Sequence, residues 1–489
     1  MNGKKMDYDL FVIGGGSGGL AAAKTAAMNG AKVGLANHPL PTPKGTQYNL
    51  GGSSVNTGCI PTKMLHFASL MGELRTDQKA CGWSVPDNDK HNWQRMISKV
   101  DKFIKRLNYI FEKQLEQFEV DFYNYKAKLK DCNTIVLSDD EGNSQTVSAR
   151  NVVISVGCKP RFLEIEGGKE LTISSDDVFS LKEAPGKTLI IGAGHVGMET
   201  AGFLCGFGME VEILHRSVPL REFDQDMAGR VVQNMESLGV KFIKGNVIKL
   251  DKTSEGKISV KLKVMEEDKE VEKTEEYDTV ITAIGTVPIN KQIIPGNLKI
   301  KLDKEGKIVV NERLQTSVDN IFSVGASNNK GIPITPLSLL EGRAVANGLF
   351  KDKWKNINYE TLPQLIFTPL EFSYVGISEK RAIETYGEEN VDVYHTSFKP
   401  LEWNFTKVRP SNICYTKVIV KRESLKILGI HYVGPNAGEV LQGLAICVRK
   451  GLSFNELKDT IGIHPTVAEE IIMLHTTKRE SLVVEKTAC

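Results

Sequence analysis

The chain has 489 residues, and its 62 basic and 60 acidic side chains leave a formal net charge of +2, which excludes a bulk electrostatic partner such as nucleic acid. At roughly 150 residues per domain the length points to about three domains. With 41% apolar residues it can build several cores, but no apolar run approaches the ~18 residues of a membrane span.

Residues 1–8 are short and polar, neither a secretory signal nor an Arg-rich transit peptide. Residues 9–13 are predicted as an apolar strand that runs into Gly14-Gly15-Gly16-Ser17-Gly18-Gly19, an Ala-rich helix and a second strand ending near Leu35. Trp93, Met96, Ile97, Val100, Phe103, Ile104, Leu107 and Phe111 recur at helical spacing and predict a long helix with one face in a core. The strand, glycine turn, helix, strand plan returns over residues 188–191, at Gly192-Ala193-Gly194-His195-Val196-Gly197, and over residues 211–214. Ile258, Val260, Leu262 and Val264 alternate within a charged stretch, as in an antiparallel meander solvated on one face. From about residue 350 strands and helices mix without a glycine fingerprint, which marks a third domain. Eight cysteines are scattered without a regular framework, so they are expected to be mostly free thiols of a reducing compartment, and the cytoplasm is the expected location. No metal site is expected.

Gly14, Gly16 and Gly19, and again Gly192, Gly194 and Gly197, fill the G-x-G-x-x-G positions. The first glycine permits a tight turn, the second lets backbone approach a pyrophosphate, and the third lets helix and strand pack closely. The helix that follows offers unpaired N–H groups to phosphate. Two fingerprints in one chain predict two dinucleotide sites. The residue ending the second strand selects the nucleotide. In the first module it is Asn37, where an acid would grip a ribose. In the second it is His215, followed by Arg216 and Arg221, so no carboxylate repels a 2′-phosphate and two guanidinium groups can bind it. The second site reads as selective for NADPH.

The segment Gly51-Gly52-Ser53-Ser54-Val55-Asn56-Thr57-Gly58-Cys59-Ile60-Pro61-Thr62-Lys63 resembles the C-x-x-x-x-C-x-P segment of the FAD- and NADPH-dependent pyridine nucleotide-disulfide oxidoreductases. PTPKGTQ, ISSDDVFSL, LREFDQDMA, FTPLEF, KPLEW, GPNAGEV and TIGIHP extend the resemblance over essentially the whole chain, closest to the large animal-type thioredoxin reductases. It implies an α/β fold with two Rossmann-like dinucleotide-binding domains and a C-terminal α+β dimerisation domain. The expected units are an FAD-binding domain over 1–165 and 287–350, an NADPH-binding domain over 166–286, and an interface domain over 351–489 carrying the C-terminal tail. It further implies that Cys59 stacks beside a flavin as a thiolate, favoured by the dipole of a helix beginning near Pro61. Glu199 would lie under the flavin ring with Lys63 as its available partner, although close relatives also carry a lysine at the position of Thr62. Gly52 and Gly325 belong to the FAD segments. His464 and Glu469 match an acid–base pair that reaches the other subunit's site, so a homodimer through 350–489 is implied.

Four positions depart from the family pattern. Ser54 stands where the interchange cysteine belongs, and a serine hydroxyl cannot enter disulfide exchange. Asn37 replaces the ribose-binding acid, Ala326 replaces the aspartate that holds the ribityl chain, and Thr286 replaces an arginine at the nicotinamide nucleotide. Thr57 is a further change inside the redox segment. A hydrogen bond to a charged group is worth roughly 1.5–3 kcal/mol, so losing two near the flavin is expected to leave FAD below full occupancy. Cys489 falls at the first position of the family's redox tail pair. Two readings of it stay open: a tail with a single thiol, or a selenocysteine codon read as a stop. The expected function is a thioredoxin reductase-like NADPH- and FAD-dependent oxidoreductase of redox homeostasis, with its dithiol relay impaired and a thioredoxin-like protein or a small acceptor as partner. The alternative is an inactive paralogue that keeps the dimeric scaffold for binding or regulation.

Overall fold

The computed structural model describes residues 5–86, 90–267, 269–406 and 413–485. The first strand, Tyr8–Ile13, lies in the middle of a sheet, which is why its apolar run is almost continuous rather than alternating. It pairs in parallel with Val33–Ala36 on one side and with Ser144–Ile154 on the other. Ser144–Ile154 pairs in addition with Thr134–Ser138, antiparallel, and with Ile321–Ser323, parallel. The first sheet is therefore closed by a strand from far along the chain. The helices Ser17–Met28 and Thr335–Lys351 cover it as a tightly packed pair. Gly342 makes this possible, since a Cβ there would strike Gly18 O and Ala22 N.

The second sheet is built on Thr188–Ile191, flanked in parallel by Val211–His215 and Thr279–Thr282. Its outer part is the antiparallel meander Lys241–Lys252, Ile258–Glu266, Lys269–Tyr277. Two short strands, Cys158–Pro160 and Thr286–Pro288, pair antiparallel where the chain enters and leaves this module. A third sheet of five antiparallel-paired strands, Gln364–Ile366 through Lys426–Val433, forms the C-terminal region. The architecture read from the sequence is thus the observed one. The differences are local. The first strand begins at Tyr8, and the second-module strand continues through His215. The long helix runs Trp93–Gln117, capped by Asn92, whose side chain accepts from Arg95 N–H. Trp93, Ile97, Val100 and Ile104 are buried along it, but Phe103 is turned outward.

The second module is tied to the third sheet by a buried ion cluster. Lys417, on the strand Cys414–Lys421, is 1% exposed, and its Nζ lies 2.7 Å from Asp224, 2.7 Å from Glu379 and 2.9 Å from Asp226. Lys478 joins Asp226 at 2.5 Å and Glu379 at 2.6 Å. Burial alone would push the Lys417 ammonium down, but the surrounding carboxylates raise it above its ordinary range.

Candidate functional site

Both glycine fingerprints form the turns expected of them. Gly14 adopts φ +106°, open to glycine, and a Cβ at Gly19 would collide with Gly14 O. Gly192 and Gly197 repeat this relation. The helices Ser17–Met28 and His195–Gly206 begin at Gly16 and Gly194, with no side-chain cap and no acid in the first turn. A Cβ at Gly194 would meet nothing within 4 Å, and one at Gly16 only ordinary contacts. Two bare helix N-termini with open space before them fit the phosphates of a dinucleotide. Gly52 is placed by contact, since a Cβ there would lie 2.8 Å from Gly16 Cα.

Beside the first fingerprint lies a cavity of ≈ 500 Å³ lined by Asn37, His38, Tyr48, Lys105 and Asn108 among others. Asn37 uses its side-chain oxygen to accept from Gly15 N–H at 2.9 Å, so it serves the turn itself. Gly325 has φ +70°, and Ala326 follows it with only a methyl group to offer. The neighbouring carboxylate is Glu341, fully buried, which accepts from Gly325 N–H at 2.6 Å and from Tyr359 O–H at 2.9 Å and so shapes the loop. In the second module His215 Nδ1 bonds Ser217 O at 2.8 Å, Arg216 is exposed, and Arg221 lies 3.8 Å from Glu222. Thr286 is exposed on the strand that pairs with Cys158–Pro160.

The redox segment folds as the short helix Gly52–Asn56, a two-residue link, and the long helix Cys59–Ala80. The helix therefore begins at the cysteine itself rather than near Pro61, and it too lacks a side-chain cap. Asn56 and Asn108 fasten the segment. Asn56 Nδ2 donates to Gly52 O at 2.8 Å, and Asn108 Nδ2 donates to Leu50 O at 2.8 Å and to Asn56 Oδ1 at 3.1 Å. Thr42 and Thr46 of PTPKGTQ donate to Asp177 of ISSDDVFSL, so two separated stretches meet here. Cys59 is exposed, with its Sγ 3.5 Å from Thr335 Oγ1. Thr335 Oγ1 in turn donates to Ser54 Oγ at 2.7 Å.

Lys63 does not reach Glu199. Its Nζ sits 4.0 Å from Glu439 and 4.6 Å from the Phe367 ring centroid, while Thr62 is the residue buried on the inner face. A helix advances about 100° per residue, so neighbours in sequence serve different surfaces. Glu199 instead accepts from Phe367 N–H at 2.9 Å. Burial pushes its carboxyl up to about 7, only partly countered by that N–H. Unfolded glutamate ionises near ~4.3. The folding penalty is accordingly small below that pH and complete above about 7. Glu199→Gln is therefore expected to raise the thermal midpoint at pH 8 and leave it nearly unchanged at pH 4.5. Equal shifts at both pH values would contradict this.

His464 and Glu469 are brought together, Nδ1 to Oε1 at 2.9 Å, with the carboxylate buried and the imidazole 65% exposed. Cys489 lies outside the described residues. None of the seven cysteines that are described forms a disulfide, and no cluster of three or more metal-ligating side chains occurs among the described residues. No described helix is long and apolar enough to cross a membrane. Asn56, Asn108, Thr335 and Glu341 are the site residues that sequence reasoning missed. Each acts across a large sequence gap or through backbone, and no motif announces it.

The helix that begins at Cys59 packs against the helix His195–Gly206 of the second glycine fingerprint. Residues 8–342 match the model of the pyridine nucleotide-disulphide oxidoreductases and residues 362–475 match their dimerisation domain, so the chain belongs to that family. Over 500 aligned positions, covering 100% of both chains, it is 42% identical to thioredoxin reductase SEP1 of Emiliania huxleyi.

Proposed function

We propose that the protein is an NADPH- and FAD-dependent oxidoreductase of the thioredoxin reductase type whose dithiol relay is interrupted at Ser54. The observation that carries this is the pair of bare helix N-termini joined to a redox segment with one sulfur. The residues that would hold FAD are Gly14, Gly16, Gly19, Asn37, Gly52, Gly325 and Ala326, in a unit over 1–165 and 287–350. Those for NADPH are Gly192, Gly194, Gly197, Arg216 and Arg221, in a unit over 166–286. When bound, the flavin would accept two electrons from NADPH and pass them to an acceptor. Cys59, His464 and Glu469 are the chain's own groups for thiol and proton chemistry, with Cys489 as a further thiol. A thioredoxin-like protein or a small redox molecule is the expected acceptor.

A homodimer through 350–489 is supported by the family match and by the exposed apolar side chains next to His464 in the chain. Ile461 is 93% exposed and Ile463 77%. Cysteines without disulfides among the described residues support a reducing, cytoplasmic setting. The inactive paralogue is the second reading, favoured by the engagement of Asn37 with Gly15 and by the methyl group of Ala326. One titration separates the two. Purified protein should carry flavin below one equivalent. Anaerobic NADPH should bleach it with at least about tenfold higher affinity than NADH, from the charged contacts of Arg216 and Arg221. Protein without flavin, or equal response to both nucleotides, would overturn the proposal.

A further inference from the structure

Thr335, from a distant helix, bridges Cys59 and Ser54 of the redox segment. Three side-chain atoms are linked in turn: Cys59 Sγ, Thr335 Oγ1 at 3.5 Å from it, and Ser54 Oγ at 2.7 Å from Thr335. Thr335 has one hydroxyl proton, and in this geometry it is given to Ser54. Its lone pairs are then free to accept from the Cys59 thiol. Once Cys59 loses its proton, the sulfur becomes an anionic acceptor beside the same hydroxyl. A bond to an ionised acceptor is roughly twice as strong as a neutral one. The Thr335 proton therefore turns from Ser54 to Cys59 by rotation about one bond, without movement of backbone.

Cys59 opens the helix Cys59–Ala80, and Thr335 opens the helix Thr335–Lys351. Neither helix has a side-chain cap or an acid in its first turn. Two helix N-termini thus converge on one sulfur. Thr335 is held there by the packing of its helix on Ser17–Met28 through Gly342.

We propose that Thr335 is the positioning residue for the Cys59 thiolate, and that Ser54 is the acceptor on which the Thr335 proton rests while Cys59 is a thiol. Ser54 is then a working part of a one-sulfur centre as well as the place of a lost cysteine. The proposal rests on Cys59 being the reactive thiol of the proposed function, but its test needs neither flavin nor electron acceptor, so the two can fail separately.

The test is the rate of Cys59 alkylation by iodoacetamide in the full chain as purified, read by peptide mass spectrometry at pH 7 and pH 10. Exposed Cys81 serves as internal reference. Thr335→Val, close in shape, should slow Cys59 at pH 7 by about tenfold, the scale of one hydrogen bond to a charged group, and leave the rate at pH 10 nearly unchanged. Thr335→Ser should recover most of the loss. Ser54→Ala should react at least as fast as the natural chain at pH 7, because the competing acceptor is gone. The proposal is overturned if Thr335→Val matches the natural chain at pH 7, if Thr335→Ser fails to recover, or if Cys81 slows in parallel. It is equally overturned if Ser54→Ala slows as Thr335→Val does, since Ser54 would then be a donor.

Discussion

Ser54→Cys is expected to turn a chain with no more than trace NADPH-dependent reduction of thioredoxin or dithiobenzoate into one with measurable turnover. A disulfide relay needs two sulfurs, because the two electrons are stored as two thiols and released as one S–S bond. The described redox segment holds one sulfur, at Cys59. Ser54 cannot supply the other, since its hydroxyl is not ionised near neutral pH and forms no bond to sulfur in exchange. The position itself is sound. Ser54 and Cys59 both converge on the Thr335 hydroxyl, so a sulfur at 54 begins in the neighbourhood of its partner. Adding Ala326→Asp should raise the gain further by restoring a carboxylate for the flavin chain. The measurement is turnover with NADPH across the natural chain, the single variant and the double variant. If the natural chain already works at the ordinary ~1–10³ s⁻¹, the interrupted relay is refuted, and Cys489→Ser becomes the variant that decides whether the tail supplies the second sulfur.

Lys417→Met is expected to lower stability by about 3–5 kcal/mol, the cost of breaking a buried ion pair from one side. Asp224 is 3% exposed and Lys417 1%, so removing the ammonium leaves a buried anion that water cannot reach. Asp226 and Glu379 keep Lys478, and for that reason Asp224 bears most of the effect. The double variant Lys417→Met with Asp224→Asn should recover a large part of the loss, since it deletes the orphan charge too. Thermal and urea midpoints of the three variants check this. A single variant as stable as the natural chain would show that the cluster contributes nothing net. The pH dependence has a definite sign. Burial raises the Asp224 carboxyl, but Lys417 more than offsets this, so both Asp224 and Asp226 end below the usual carboxylate range. Lys417 is held above its own. The cluster's contribution is therefore fully present between the unfolded values of ~4 for the acids and ~10.4 for the lysine. It is lost as pH falls through the depressed carboxylates or rises through the elevated ammonium.

What the sequence disclosed depended on how local the cause was. The glycine fingerprints were legible because a positive φ at Gly14 and close packing at Gly19 admit few other residues. The pairing of His464 with Glu469 was implied by the family resemblance, since a histidine with a glutamate five residues on would by itself read as structural. Lys63 was misassigned to Glu199 because sequence adjacency on a helix does not say which face a residue serves, and the inner face belongs to Thr62. Asn37 looked like a lost ribose contact, while its bond to Gly15 N–H is visible only in three dimensions. Thr335 lies 276 residues from Cys59, and its place is set by helix packing rather than by any motif.

The first sheet is also a matter of timing. Ile321–Ser323 pairs with Val152–Ile154 only after the entire second module has been made. About 170 residues of synthesis separate the two strands, which at 5–20 residues per second is on the order of 10–30 s. Through that interval the Val152–Ile154 end of its strand presents one unpaired edge, and the helix Ser17–Met28 presents a face that awaits Thr335–Lys351. The nascent chain is thus most exposed to aggregation while its middle is on the ribosome, and its N-terminal module is completed later than the module that interrupts it.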